Sequence, residues 1–237
     1  MTSTWREFWN ADNSVYISEK YKEVHFAKIA DDVIALLPRT RPLSLLDWGC
    51  GEALGAPRYV HAGIQIYLFD PVPLPLRHVQ ERFRDVPNIT VLDVQAVEKL
   101  PDGSMDAIIV NSVLQYISVN EFRGLLRIFE RLLSADGVLI LGDVVSTDDS
   151  MVVDAWELLK AGFVYGFFTD VLFGLVRTFF SEYRLIRKKS GFTAYRESEI
   201  IDLLQKAGFR GERIRPNVGL APQRMLFRAL KSAQRIP

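Results

Sequence analysis

One short apolar run that stops on glycines constrains this chain more than any other feature. Residues 43–48 (LSLLDW) flow directly into Gly49-Cys50-Gly51-Glu52-Ala53-Leu54-Gly55. A run this short, bounded by glycine, reads as a buried strand rather than a helix. Glycines lack a Cβ, so the chain after the strand turns tightly and its backbone approaches a ligand closely. A buried strand needs partners, and similar runs recur at residues 64–69, 107–111 and 138–142, with a weaker one at 89–92.

Helical segments stand among these runs. Residues 18–37 carry Ile29, Val33, Leu36 and Leu37 along one face, and the stretch 38–42, with a proline at each end, breaks the pattern. Ser118 and Glu121 have capping-box spacing, and Phe122, Leu125, Leu126, Phe129, Leu132 and Leu133 form the apolar face that follows. Asp136-Gly137 is expected to end the connection before the fifth strand. Residues 197–207 read as a late helix with Gly208 just past its end. Two last β-like runs, 209–214 and 225–230, stand too close for a helical crossover and are expected to pair antiparallel.

Strands alternating with helices predict an α/β fold. The expected architecture is a doubly wound, mostly parallel seven-stranded sheet with helices on both faces. Its last strand is antiparallel, and a helical insert follows the fifth strand. Residues 1–237 are expected to form a single domain, with a helical cap over 1–40 and a helical lid over 151–190. The ligand crevice of such a sheet lies beyond the carboxyl ends of its strands. The chemistry is therefore sought after Trp48, Phe69, Val110 and Gly142.

Composition excludes several rivals. With 29 basic against 29 acidic side chains, the chain lacks the cationic excess of a non-specific nucleic-acid binder. A single cysteine and three scattered histidines leave no disulfide framework and no metal site. The start, MTSTWREFWNADNS, has no apolar core of a secretory signal. The apolar stretch 151–180 is interrupted by Asp154, Glu157, Lys160, Asp170 and Arg177, so no transmembrane segment is expected. A cytoplasmic location follows as the expectation.

Asp70 stands nineteen positions after Gly51, at the end of the second strand. An acid there accepts the hydroxyl protons of an adenosine ribose. Nicotinamide cofactors and S-adenosylmethionine both offer that ribose. Dinucleotide enzymes place a third glycine where this chain has Leu54. Asp47 before the loop would repel a pyrophosphate, whereas it suits the ammonium of a methionine group. The Tyr-x-x-x-Lys pair of short-chain dehydrogenases occurs only as Tyr16 and Lys20, ahead of the loop. The methyl donor is the better ligand.

The segments LSLLDWGCGEALG (43–55), YLFDP (67–71), LPDGSMDAIIVNSVLQYI (100–117) and RLLSADGVLILGDV (131–144) together resemble the class I S-adenosylmethionine-dependent methyltransferases, of the small-molecule type. The late segment FTAYRESEIIDLLQKAGF (192–209) resembles the penultimate helix and turn of that family. The resemblance implies that Asp47, Gly49 and Gly51 surround the methionine and ribose part of the donor, and that Asp70 holds the ribose hydroxyls. Where the family has an acid for the adenine amino group, this chain has Ala96 and Val97, so adenine would be held by backbone and apolar contact; Asp93 is the nearest acid. Asn111 and Ser112 would offer a backbone carbonyl to the donor's amino group, with Gln115 and Tyr116 facing cofactor or substrate. Cys50, inside the loop, reads as a small residue tolerated by a tight turn rather than a nucleophile.

The insert holds Trp156, Phe163, Tyr165, Phe167, Phe168, Phe173, Phe179, Phe180 and Tyr183, followed by a basic run at 183–189. It reads equally as a lid over an apolar acceptor, with Trp156, Tyr165 and Phe168 touching substrate, and as packing or a homodimer interface. The basic run reads as a solvated helix face, or more sharply as a peripheral membrane contact with anionic lipid headgroups or a contact with an acidic acceptor. Trp5, Phe8, Trp9, Tyr16, Tyr21 and His25 either form a second half of the lid or anchor a helix. Asp143 and His25 are the candidate bases by position. The expected function is methyl transfer from S-adenosylmethionine, leaving S-adenosylhomocysteine, to an oxygen, nitrogen or carbon of a small hydrophobic, aromatic or lipid-like acceptor. The alternatives are an NAD(P)-dependent oxidoreductase and a non-catalytic protein that binds the donor for regulation or assembly.

Overall fold

Strand β1 (Ser44–Trp48) is an interior strand of the sheet, and its alternate side chains are buried on opposite faces. Leu46 and Trp48 join one hydrophobic core and Leu45 the other. The computed structural model describes residues 10, 18–38, 43–149, 151–171 and 193–232. Around β1 stand β2 (Gln65–Phe69), β3 (Ile89–Leu92), β4 (Met105–Asn111), β5 (Leu133–Val144), β6 (Phe209–Ile214) and β7 (Met225–Lys231). Their order is β3-β2-β1-β4-β5-β7-β6. Strands β1 to β5 pair in parallel, and β7 runs antiparallel to both β5 and β6, as expected from the short connection between the last two runs.

Helices cover both faces. On one, α1 (Glu19–Leu36), α2 (Ala56–His61) and α3 (Pro73–Arg82) bury Ile29, Val33, Tyr59 and Val79 against Leu45, Ile66, Leu68 and Ile140. On the other, α5 (Val119–Leu132) and α7 (Glu197–Lys206), with the short α4 (Val94–Glu98), bury Phe122, Phe129, Ile200 and Leu204 against Ile108, Leu139 and Phe227. Helix α6 (Met151–Tyr165) follows β5, where the insert was expected. Ser118 caps α5 with the reciprocal Glu121 bond read from the sequence, and Ser18 caps α1 by accepting from Tyr21 N–H.

One boundary differs from expectation. Leu133 is not the last residue of α5 but the first of β5, paired with Met105, and Asp136-Gly137 lies inside the strand rather than before it. Residues 134–137 form a bulge, because Val138 is already opposite Ala107. A Cβ at Gly137 would stand 3.0 Å from Ser134 N and O. Glycine therefore lets the chain double back there, while burial of Leu133 resumes the strand early.

Candidate functional site

The crevice is built where β1, β2, β4 and β5 end. Gly49 (φ +81) and Gly51 (φ +54) take the left-handed turn that an L side chain resists. A Cβ on Gly49 would lie 2.5 Å from Val113 Cγ2, while nothing stands within 4 Å of one on Gly51. One glycine thus packs the loop against the β4 turn, and the other faces open space. The Gly49 and Cys50 N–H groups both donate to the Phe69 carbonyl, at 2.7 and 3.1 Å, which stitches the loop to the end of β2.

Asp70, the next residue, is buried and accepts Gly51 N–H on Oδ2 at 2.9 Å and Val72 N–H on Oδ1 at 2.8 Å. Each oxygen keeps a lone pair for a ligand hydroxyl. Burial raises its pKa, and the two backbone bonds work against that rise. Asp47 accepts no hydrogen bond among the described residues. Burial, with the charge of Asp70, pushes its pKa up from 3.8 to about 7. The two carboxyls and the glycine backbone gather acceptors suited to a cation beside a ribose.

That shift has a sign. The folded chain holds a proton on Asp47 that the unfolded chain releases near pH 3.8, so this contribution to stability is complete below that value and is lost as pH rises through about 7. A bound ammonium favours the ionised form instead. S-Adenosylhomocysteine is therefore expected to bind more tightly as pH rises from about 5.5 to 8, releasing a proton below pH 7. Calorimetry in buffers of different ionisation enthalpy measures that release; pH-independent binding without it would place Asp47 away from the ligand's cation.

A second constellation joins the ends of β4 and β5. Ser112 (φ +57) and Asp143 (φ +54) are left-handed without being glycine, a conformation costing about 1–3 kcal/mol each. The Ser112 hydroxyl donates to Asp143 Oδ2 at 2.6 Å and accepts from Asn111 Nδ2 at 3.1 Å. Asn217, buried in the β6–β7 loop, accepts Asp143 N–H at 3.0 Å and donates to the Ala221 carbonyl at 3.1 Å. Arg224 Nε lies 4.0 Å from Asp143 Oδ1, and its Nη1 is 2.9 Å from Asp149. The strain is held by this network. Gly142 lets it close: a Cβ there would meet Asn111 Oδ1 at 2.4 Å and Val218 Cγ2 at 3.1 Å. Gly142→Ala is expected to cost about 1–3 kcal/mol, lowering the melting temperature by roughly 2–10 °C in a thermal scan.

Helix α1 touches the glycine loop, the β6–β7 loop and the insert. Lys22 on α1 reaches Glu52 in the glycine loop at 2.6 Å, and Asp32 accepts Gly219 N–H at 2.9 Å. Lys20 donates to the Gly166 carbonyl at 2.8 Å. Tyr21 meets Phe167 edge to face, and Ala161, Phe167, Val171 and Leu220 form a third small core beside them. Of the candidate lid residues, Phe167 is buried, whereas Trp156, Tyr165 and Phe168 are exposed by 59, 36 and 42%. Phe173, Phe179, Phe180, Tyr183, the basic run, and Trp5, Phe8, Trp9 and Tyr16 lie outside the described residues.

The remaining candidates are placed as follows. Val97 is buried in the core, with Ala96 packed at its edge, so what these two can offer a ring is backbone. Asp93 caps α4 by accepting Ala96 N–H at 2.7 Å. Gln115 is buried, its carbonyl accepts from Thr193 N–H, and its Oε1 has no partner among the described residues. Tyr116 is half-buried beside it. His25 stacks on Tyr21 at 5.4 Å, and burial lowers its pKa to about 4, so it is neutral near pH 7. The Cys50 thiol is buried, and burial with the charges of Asp47 and Asp70 raises its pKa well above the ordinary value, which suits an inert residue. The sequence reading missed Lys22, Glu52, Asn217 and Arg224, whose roles rest on contacts across long stretches of chain.

Residues 46–141 match the family model described as a methyltransferase domain. No curated protein matches this chain. Among solved structures, the chain is similar to 1,6-didemethyltoxoflavin-N1-methyltransferase of Burkholderia thailandensis, bound to 1,6-didemethyltoxoflavin and S-adenosylhomocysteine. The TM-score is 0.57 at 16% identity, over 89% of this chain and 80% of that one. It is also similar to magnesium protoporphyrin IX methyltransferase of Synechocystis PCC 6803 with bound S-adenosylmethionine, at TM-score 0.55 and 17% identity over 96 and 89% of the two chains. Mitomycin 7-O-methyltransferase gives TM-score 0.61 at 18% identity over 89% of this chain, which spans only 54% of that longer one. Among the described residues no helix is long and apolar enough to cross a membrane.

Proposed function

We propose that this chain is a class I S-adenosylmethionine-dependent methyltransferase, as the match of residues 46–141 to the methyltransferase-domain model supports, and that its acceptor is a small, largely apolar or aromatic molecule methylated on oxygen or nitrogen. The observation that carries the reading is the small apolar cluster where α1, the insert and the β6–β7 loop meet. Tyr21, Phe167, Val171 and Leu220 pack α1, the insert and the β6–β7 loop together beside the strand ends. An apolar cluster of that kind is suited to border a small apolar acceptor. The toxoflavin precursor, the porphyrin and mitomycin named for similar structures are small molecules of this kind.

When bound, the donor supplies an electrophilic methyl group on a sulfonium. Gly51 and Asp70 would hold its ribose and Asp47 its ammonium, at the carboxyl ends of the strands where β4 and β5 also end. Asp143 then stands as the proton acceptor for the substrate's O–H or N–H. Ser112 holds that carboxylate by a 2.6 Å bond, and Asn217 holds its backbone.

The test is transfer of a tritiated methyl group into a small-molecule extract, a total RNA fraction and a protein fraction presented in parallel. Label is expected in the small, organic-extractable fraction. Label confined to RNA or protein contradicts the proposal.

A further inference from the structure

Asp143 sits in a bulge. Leu141 stands opposite Phe227 and Val144 opposite Met225, so β5 has two residues, Gly142 and Asp143, where β7 has Leu226. A bulge turns the strand locally and aims its extra side chain in a new direction. A carboxylate that takes a proton must hold one oxygen along the line of that proton. The Ser112 bond to Oδ2 does not by itself fix both torsions of the side chain.

Arg224 stands where a second hold is needed. It directly precedes β7, as Asp143 directly precedes Val144, and the Val144–Met225 pairing sets the two backbones side by side. Its Nε faces Asp143 Oδ1 at 4.0 Å, the oxygen on the other side from Ser112, and its Nη1 donates to Asp149 Oδ2 at 2.9 Å. Asp149 is anchored in turn, accepting Ser146 N–H at 2.7 Å. The side chains of Arg224 and Asp149 are 13 and 11% exposed, against 28% for Asp143. The most open of the three is thus the one a substrate can meet. An inner ion pair brings little net stability, so support of the sheet is a poor account of it. A planar guanidinium, by contrast, spans two carboxylates at set angles.

We propose that Arg224 is a positioning residue for Asp143: anchored on Asp149, it sets the orientation in which that carboxylate meets the substrate's O–H or N–H. This rests on the reading of Asp143 as the proton acceptor. The proton passes from the substrate to Asp143, and the arginine keeps its charge throughout.

The test follows label from saturating tritiated S-adenosylmethionine into the organic-extractable small-molecule fraction, beside calorimetry with S-adenosylhomocysteine. Arg224→Met keeps the stem and removes the charge. It is expected to lower the initial rate roughly ten- to a hundredfold while S-adenosylhomocysteine affinity stays within about threefold. Arg224→Lys is expected to recover part of the rate, because the charge returns without the fork. In an Asp143→Asn background, Arg224→Met is expected to change the rate by less than about twofold, since it acts through the group already lost. Removing the cation leaves Asp149 buried and unpaired, so the same rates are taken with Asp149→Asn added, which keeps the shape and the acceptor for Ser146. Equal losses in both backgrounds, or an unchanged rate in Arg224→Met, overturn the proposal. A loss of S-adenosylhomocysteine affinity as large as the loss of rate would show a collapsed site and overturns it as well. An unmodified chain that transfers no label, or an Asp143→Asn chain that transfers it at the parental rate, removes the underlying reading and the proposal with it.

Discussion

Asp70→Ala is expected to lower the affinity for S-adenosylhomocysteine at least a hundredfold, measured by calorimetry. Hydrogen bonds to a charged group contribute about 1.5–3 kcal/mol each, and a ribose offers this carboxylate two hydroxyls. The substitution also strips the acceptors from Gly51 and Val72 N–H, at 2.9 and 2.8 Å. Both donors lie in turns that shape the pocket, so the loop loses its anchor as well as its ligand contact. Asp70→Asn keeps the shape but brings an amide donor against one of those N–H groups, and it is expected to fall between the alanine variant and the parent. An alanine variant that binds within threefold of the parent places the ribose elsewhere.

Asp143→Asn carries the second large effect, and it falls on a different quantity. Asparagine tolerates the left-handed backbone at this position and still accepts from Ser112, so the fold and the donor site should survive. What is lost is the ability to take a proton. A positioned base contributes about 10²–10⁴-fold, so kcat should fall by that range with S-adenosylhomocysteine affinity unchanged. Ser112→Ala, which frees the carboxylate to turn, is expected to fall short of that loss. Unaltered kcat in Asp143→Asn leaves alignment alone to account for catalysis.

Much of the fold was legible because it depends on patterns along the chain. The apolar runs gave β1 to β5, and the short spacing of the last two runs gave an antiparallel pair, which is how β6 and β7 meet. The capping box at Ser118 placed the start of α5 to the residue. Its end was misplaced because Leu133 satisfies an apolar helix face and an apolar strand equally well. Only the pairing with Met105 separates them. Helices α2, α3 and α4 carried too little apolar periodicity in 6, 10 and 5 residues to stand out from loops.

The site divides in the same way. Asp47, Gly49, Gly51 and Asp70 were readable because the loop and the strand after it are separated by one unit of regular length. Ser112 and Asp143, 31 positions apart, come together only because β4 and β5 pair in register from Ala107 opposite Val138 to Asn111 opposite Gly142. Asn217 is 74 positions from Asp143, in a loop with no periodicity at all. Lys22 reads on paper as one more surface lysine of a charged helix. Its burial against Glu52 is a product of packing, which a linear pattern does not carry.

The most direct measurement of the central claim is a crystal structure of the full chain with S-adenosylhomocysteine. The ribose hydroxyls are expected on Asp70, and the sulfur is expected to face the space between Gln115 and Asp143. A ligand whose sulfur turns away from the ends of β4 and β5, or whose ribose does not meet Asp70, contradicts the account.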